Sequence, residues 1–207
     1  NKQKKFFNVH VLEGVAGSGK TLVYFSRLRE IINQGYQALI MLPEIGLTTQ
    51  FKKRFIEFFG FEPAIWHSAT SKKNKKIIWR GVVENKIKVV VGARSSLFLP
   101  FLNLGIIIVD EEHDASYKQD DGIYYNARDM AISRGSFEKI PVNLITSIPS
   151  IETFNNILNK KYAVFLDQCL PFHSGPMIRD EKKIVTKDKY FPSLNNFFNN
   201  FENLVRT

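Results

Sequence analysis

Cysteine is nearly missing from this chain: there is one, Cys169, in 207 residues. A single thiol excludes an internal disulfide and a multi-cysteine zinc site, and leaves Cys169 the role of a small, half-buried hydrophobe. Long apolar runs are missing too. The longest, "LFLPFLNLGIIIV", is broken by Pro100, Asn103 and Gly105 and is too short to span a bilayer. No charged-then-apolar leader opens the chain, because "NKQKKFF" passes directly into a strand pattern. Together these absences predict a cytoplasmic protein with no membrane partner. Acidic residues are also scarce: 20 Asp and Glu against 29 Lys and Arg leave a net charge of +9. That excess favours a polyanionic partner through long-range attraction and counterion release. It does not separate DNA from RNA or from an acidic protein surface, and an AT-rich genome would also raise Lys.

What is present is an ordinary globular core. The hydrophobic fraction is 44%, and the length suits one large domain or one domain with an appendage. Residues 6–13, 37–42, 88–92, 104–110 and 141–146 are β-branched, nearly continuous apolar runs that read as buried strands. Residues 20–33, 47–59, 71–84 and 127–139 show helical spacing between them. The alternation predicts an α/β fold, a parallel sheet with helices on both faces and ligands at the carboxyl ends of its strands. Beyond residue 167 the pattern weakens into a linker rich in Pro, Gly and charge, then an apolar helix, "LNNFFNNFENLV".

Two constellations carry chemistry. "GVAGSGKT" places Gly14, Gly17, Ser18, Gly19, Lys20 and Thr21 between a strand and a helix. Glycines there let backbone N–H groups converge on phosphate oxygens, Lys20 suits the outer phosphates, and the Thr21 hydroxyl suits Mg²⁺. "IIIVDEEHDASYKQ" sets Asp110 at the tip of the most apolar strand, with Glu111, Glu112 and His113 beyond it. A strand-tip aspartate beside a phosphate loop can hold Mg²⁺, and the next carboxylate can polarise water. His113 is placed to sense the γ-phosphate side, or to serve as a structural hydrogen-bonder. The lysine run 72–76 reads as a solvated helix face with DNA contact as the alternative, and Trp66 and Trp79 read as core.

Asp110-Glu111-Glu112-His113 resembles the DEEH box of superfamily 2 helicases. "LPEIGLTTQ" (42–50), "HSATS" (67–71), "GARSSLFLP" (92–100), "VDEEHDASYKQ" (109–119), "YYNARDMA" (124–131) and "PSIE" (149–152) narrow the resemblance to the PriA family of primosomal replication-restart helicases. It implies a RecA-like P-loop NTPase lobe of an ATP- and Mg²⁺-dependent 3′-to-5′ DNA helicase, with Lys20, Asp110 and Glu111 catalytic. Residues 1–166 would be the first lobe, and 167–207 would lead toward a second that is not in this chain. That second lobe would supply the arginine finger and a zinc-binding insertion.

The same resemblance sets Pro43, Glu44, Thr48, Thr49 and Gln50 beside single-stranded DNA, together with Arg94, Ser95 and Ser96. Hydroxyls, amides and one Arg suit contacts that ignore base sequence. Thr48 or Thr49 also suits a helix cap. Tyr117, Lys118, Tyr124 and Tyr125 fall in an aromatic-rich loop where bases could stack, or where Tyr125 only packs at a helix entry capped by Asn126, with Asp129 as reciprocal partner. Single-stranded or forked DNA, other primosome proteins and single-strand-binding proteins are the implied partners.

Departures from the family pattern are Ala16 for a usual Thr, Asn126 for His, and Thr146-Ser147-Ile148 for Ser-Ala-Thr. Ile148 can neither hydrogen-bond through its side chain nor cap the helix expected from Pro149. It puts the coupling of ATP turnover to strand separation in question. The competing expectation is a degenerate module that binds nucleotide or DNA without unwinding.

Overall fold

In the computed structural model, strand β1 (Val9–Gly14) runs into helix α1 (Lys20–Asn33) through the glycine-rich loop. The structure describes residues 6–167 apart from 44, 45, 47 and 121. Glu44, Cys169, the linker from 168 and the apolar helix after it therefore lie outside the described residues. The order continues with β2 (Gln37–Met41), α2 (Thr49–Phe59), β3 (Ala64–Trp66), α3 (Lys72–Val83), β4 (Val89–Gly92) and β5 (Leu104–Asp110). A short antiparallel ribbon, β6 (Lys118–Gln119) with β7 (Tyr125–Asn126), precedes α4 (Ala127–Glu138). The path ends with β8 (Val142–Thr146), α5 (Ile151–Leu158) and β9 (Ala163–Asp167).

Seven strands form one sheet in the order β3-β4-β2-β5-β8-β1-β9, and every pairing in it is parallel. Alternate side chains of a strand point to opposite faces, and here both faces are apolar. Leu39, Met41, Val90, Ile107 and Val109 pack with Ile78 and Val82 of α3 and with Ala127 and Ala131 of α4. Ala38, Ile40, Val91, Ile106 and Ile108 pack instead with Tyr24, Phe25 and Leu28 of α1 and Phe55 of α2. Phe25 is the hub on that side, ringed by Phe51, Phe55, Phe58 and Phe59 at centroid separations of 5.2–5.8 Å.

Helix entries are capped as the sequence suggests in part. Thr48 accepts from the Phe51 N–H at the start of α2, so the helix begins two residues later than its apolar pattern. Asn126 accepts from the Arg128 N–H at the start of α4. Asp129 engages the Arg128 Nε at 2.8 Å, where a reciprocal cap was expected. Ser150, rather than residue 148 or Pro149, begins α5 by accepting from the Thr153 N–H. Strands β3 and β9 and the ribbon β6–β7 are additions to the elements legible in the sequence, while α5 is the helix expected from Pro149, begun two residues later. Trp79 is half exposed instead of core.

The close approach of β3 and β4 leaves no room for a side chain at the end of β4. A Cβ on Gly92 would lie 2.4 Å from the Trp66 carbonyl oxygen, a backbone atom that also accepts from the Ala93 N–H. Gly92→Ala is expected to destabilise the protein by about 1–3 kcal/mol through overpacking, measured as a lower denaturation midpoint with an unchanged denaturant slope.

Candidate nucleotide and nucleic-acid sites

Because the strands are parallel, the loops after β1, β2, β4, β5 and β8 all leave one edge of the sheet. At the first, Gly17 and Gly19 take φ of 80° and 99°, the left-handed region that a Cβ disfavours. Gly19 is the N-cap of α1 and supplies no side chain, so the first N–H groups of that helix open into the loop. The Lys20 ammonium is buried and donates to the carbonyls of Gly14 and Val15 at 2.7 and 3.0 Å. Ser18 Oγ is buried with no hydrogen-bond partner. An orphaned hydroxyl, a lysine held only by loop carbonyls and unpaired helix amides fit an anionic group with several acceptor oxygens. This is the donor set that the phosphates of ATP require.

Opposite the loop stands Asp110. A cavity of about 570 Å³ is lined by Gly17, Gly19, Lys20, Thr21, Asp110 and Glu111, among others. The Tyr24 hydroxyl donates to Asp110 Oδ2 at 2.9 Å, and the Glu111 N–H donates to Oδ1 at 3.0 Å. Burial pushes the Asp110 carboxyl up to about 6; the Tyr24 bond opposes that rise, the Glu111 charge adds to it and the Lys20 ammonium opposes it. A carboxylate that lines the same cavity as Thr21, in a site short of compensating charge, suits a hard divalent cation such as Mg²⁺. Glu111 has φ of 49°, a left-handed position unusual outside glycine, and strain of this kind concentrates at functional sites.

Behind these groups runs a network that the sequence left unassigned. Glu112 is buried and accepts from Arg128 Nη1 at 3.2 Å, from the Ser150 N–H at 2.7 Å and from the Thr153 hydroxyl at 2.9 Å. Arg128 also reaches Asp129, the Ser150 hydroxyl and Glu152. Thr146 donates its hydroxyl proton to the Ile148 carbonyl at 2.7 Å, so it accepts from His113 Nδ1 at 2.9 Å. The His113 Nε2 then lies 3.7 Å from Glu111. His113 thus joins the β5 loop to the β8 loop. Ile148 contributes through its backbone while its side chain is 73% exposed. The missing bond and cap that its identity suggested are supplied by Thr146 and Ser150.

The residues expected along DNA divide. Thr48, Thr49, Gln50, Ser95 and Lys118 are exposed, and Tyr124 is 77% exposed. The Arg94 guanidinium donates to the Lys118 carbonyl, drawing the loop after β4 to the ribbon β6–β7. These two loops bound a cavity of about 400 Å³ that Leu42, Arg94, Ser116 and Lys118 help to line. Two expectations need correction. Tyr117 is buried, and its one proton is shared between the carbonyls of Asp110 and Met41 at 2.6 and 3.0 Å, so it offers no face to a base. Ser96 is buried and donates to the Ala93 carbonyl, closing its own turn. Tyr125 is half-buried and packs edge-on against Phe98 at 5.5 Å.

The sequence model of the DEAD/DEAH box helicases matches residues 4–150, and the chain belongs to that family. Its relatives are more particular. The replication restart protein PriA of Rickettsia conorii is 59% identical over 152 residues, which are 73% of this chain and 24% of that protein. PriA of Haemophilus influenzae is 44% identical over 156 residues, 75% of this chain and 21% of that one. The chain thus spans about a quarter of the length of the curated relatives it matches. Among solved structures, RecG bound to a three-way DNA junction aligns with a TM-score of 0.57 at 23% identity, over 79% of this chain and 21% of RecG. The Hef helicase domain of Pyrococcus furiosus aligns with a TM-score of 0.56 at 17% identity, over 78% of this chain and 35% of that one. These likenesses show a RecA-like α/β fold. Among the described residues, no helix is long and apolar enough to cross a membrane.

The buried charges set two expected outcomes. The cost of ionising Asp110 is absent below its unfolded value near 4 and complete above about 6, so it grows as pH rises through that window. Asp110→Asn should therefore stabilise the nucleotide-free chain at pH 7–8 by about 3 kcal/mol, with the gain vanishing near pH 4, read from denaturation midpoints across pH. Arg128→Ala leaves Glu112 buried without its cation, and a loss of about 3–5 kcal/mol is expected in the same assay.

Proposed function

We propose that the chain is the ATP-binding lobe of an ATP-dependent 3′-to-5′ DNA helicase that restarts stalled replication forks. In the whole protein it couples ATP hydrolysis to movement on single-stranded DNA. The observation that supports this most directly is the cavity that puts Asp110 and Glu111 against the Lys20 loop. Residues 1–166 are the lobe, and 167–207 lead toward a second lobe that carries the arginine finger and the zinc site.

On this reading the amides of Gly17 and Gly19 and the orphaned Ser18 hydroxyl hold phosphate oxygens, with Gly14 setting the start of the turn. Lys20 exchanges its loop carbonyls for the outer phosphates. Thr21 and Asp110 hold Mg²⁺, and Glu111 orients water and receives its proton. His113 ties the β5 loop that carries Glu111 to the β8 loop through Thr146. Bound ATP and Mg²⁺ supply the transferable phosphoryl group and the positive charge that offsets the Asp110 carboxylate.

Nucleic acid lies along the same edge of the sheet. Thr48, Thr49, Gln50, Arg94 and Ser95 contact the sugar-phosphate backbone, and Lys118 adds charge. Tyr124 offers the stacking face, with Tyr125 supporting the loop from its half-buried site. The substrate is single-stranded or forked DNA, and other primosome and single-strand-binding proteins are the partners of the whole protein. The exposed Ile148 side chain leaves the surrounding hydrogen bonds in place, so the degenerate-module reading gains nothing from it.

DNA-stimulated ATPase of the full-length protein tests the reading. Lys20→Ala is expected to lower stimulated turnover by about 10²-fold or more, the scale of losing one charge-stabilising donor. Turnover that ignores both DNA and Lys20 overturns it.

A further inference from the structure

The first two turns of α3 concentrate positive charge in a way that opposes the helix carrying it. Lys72, Lys73, Lys75 and Lys76 follow the Ser71 cap, and the stretch Lys72–Val83 contains no carboxylate. Cations at this end meet the positive pole of the helix dipole. Lys72 and Lys76 stand at i,i+4, and Lys72–Lys75 and Lys73–Lys76 at i,i+3, spacings at which like charges repel. Solubility alone does not call for this arrangement. On α2, by contrast, Lys52 and Lys53 face Glu62 and Glu57 at 2.9 and 3.9 Å. Among the described residues Lys72, Lys73 and Lys76 are exposed and form no ion pair, whereas Arg80 one turn on is matched by Glu84 at 3.6 Å.

The cluster is continuous with the turn that carries Arg94. Trp66 pairs with Gly92 in a parallel register, so α3 starts from the same edge of the sheet as that turn. Trp66 Nε1 donates to the Ser95 hydroxyl at 3.1 Å. The Lys75 ammonium sits 5.8 Å over the Trp66 ring and donates to the Ser68 carbonyl at 3.3 Å, which fixes the first turns of α3 there.

We infer that Lys72, Lys73 and Lys76 form a phosphate-binding face for DNA, extending the nucleic-acid path from the Arg94 turn across the start of α3. The inference rests on the DNA-binding reading above and adds a surface to it. Three ammonium groups on flexible stems recognise backbone charge and not base edges. Phosphates on this face cancel the repulsion within the helix, so the same lysines that weaken the free protein strengthen the complex. A single strand passing Arg94 and a duplex arm of a fork both present this chemistry.

The test compares the full-length protein bearing Lys72→Gln, Lys73→Gln and Lys76→Gln with a charge-matched control at exposed lysines far from that path, Lys139→Gln, Lys160→Gln and Lys161→Gln. Fluorescence anisotropy follows binding to a labelled single strand of about 30 nucleotides, long enough to cover an extended site, and to a duplex of equal length, over a salt series. The α3 variant is expected to flatten the logarithmic salt slope on the single strand by about 2, for three lost contacts, and to lower affinity about tenfold. Its melting temperature should rise while its binding falls, a pairing that a merely solvating role does not produce. Loss confined to the duplex would assign the face to the duplex arm. An equal loss in the control, or an unchanged slope on both DNAs, overturns the inference. If Arg94→Ala weakens binding and the α3 variant does not, the DNA-binding reading stands and this surface fails. If the unaltered full-length protein binds neither DNA, both fail.

Discussion

A fully parallel sheet sends the carboxyl end of each strand to the same edge, and the chemistry of this protein depends on that constraint. The phosphate loop follows β1, Asp110 ends β5, Thr146 ends β8 and Arg94 follows β4. None of these groups is near another in sequence. Most of the crossovers that permit parallel pairing carry a helix, the β4-to-β5 connection having only a 3₁₀ turn, and those helices bury both faces of the sheet. Strand interiors are consequently apolar apart from the paired His10 and Asn143, and most other polar side chains collect at the ends. Site and core are thus two results of one topology.

Within that edge, charge is handled in two ways. Glu112 is fully desolvated and compensated by an arginine, a backbone amide and two hydroxyls. Asp110 is half-buried at the cavity wall and is met by a phenol and an amide only, so its carboxyl stays raised. Two carboxylates two residues apart, with opposite degrees of compensation, divide the work. The satisfied one holds α4, α5 and the β5 loop together, and the unsatisfied one keeps acceptor capacity at the cavity wall.

The sequence made the five central strands, four of the helices and the phosphate loop legible, because each follows from local pattern and spacing. It made β3 and β9 less so. Residues 64–66 are too short to show a period, and β9 is an edge strand defined by pairing with β1. The assignments of Ser96 and Tyr117 failed for a common reason: a motif places a residue on a loop, not the direction of its side chain. Ser96 turns inward to close a 3₁₀ turn, and Tyr117 turns inward beneath the DEEH loop. The Glu112–Arg128 pair spans 16 residues and becomes visible only when α4 is docked. One signal was available for Tyr24, which stands four positions after Lys20 and so shares its face of α1.

Tyr117 has a mechanical consequence. Its phenol is a stiff strut with two torsions, anchored at its tip to carbonyls at the ends of β2 and β5. Its backbone lies at the root of the ribbon that reaches Arg94 through the Lys118 carbonyl. A displacement of that ribbon is therefore passed inward with little slack to the peptide of Asp110, instead of being absorbed by a flexible side chain. The ribbon beside the Arg94 turn and the carboxylate in the Lys20 cavity behave as two ends of one short rod.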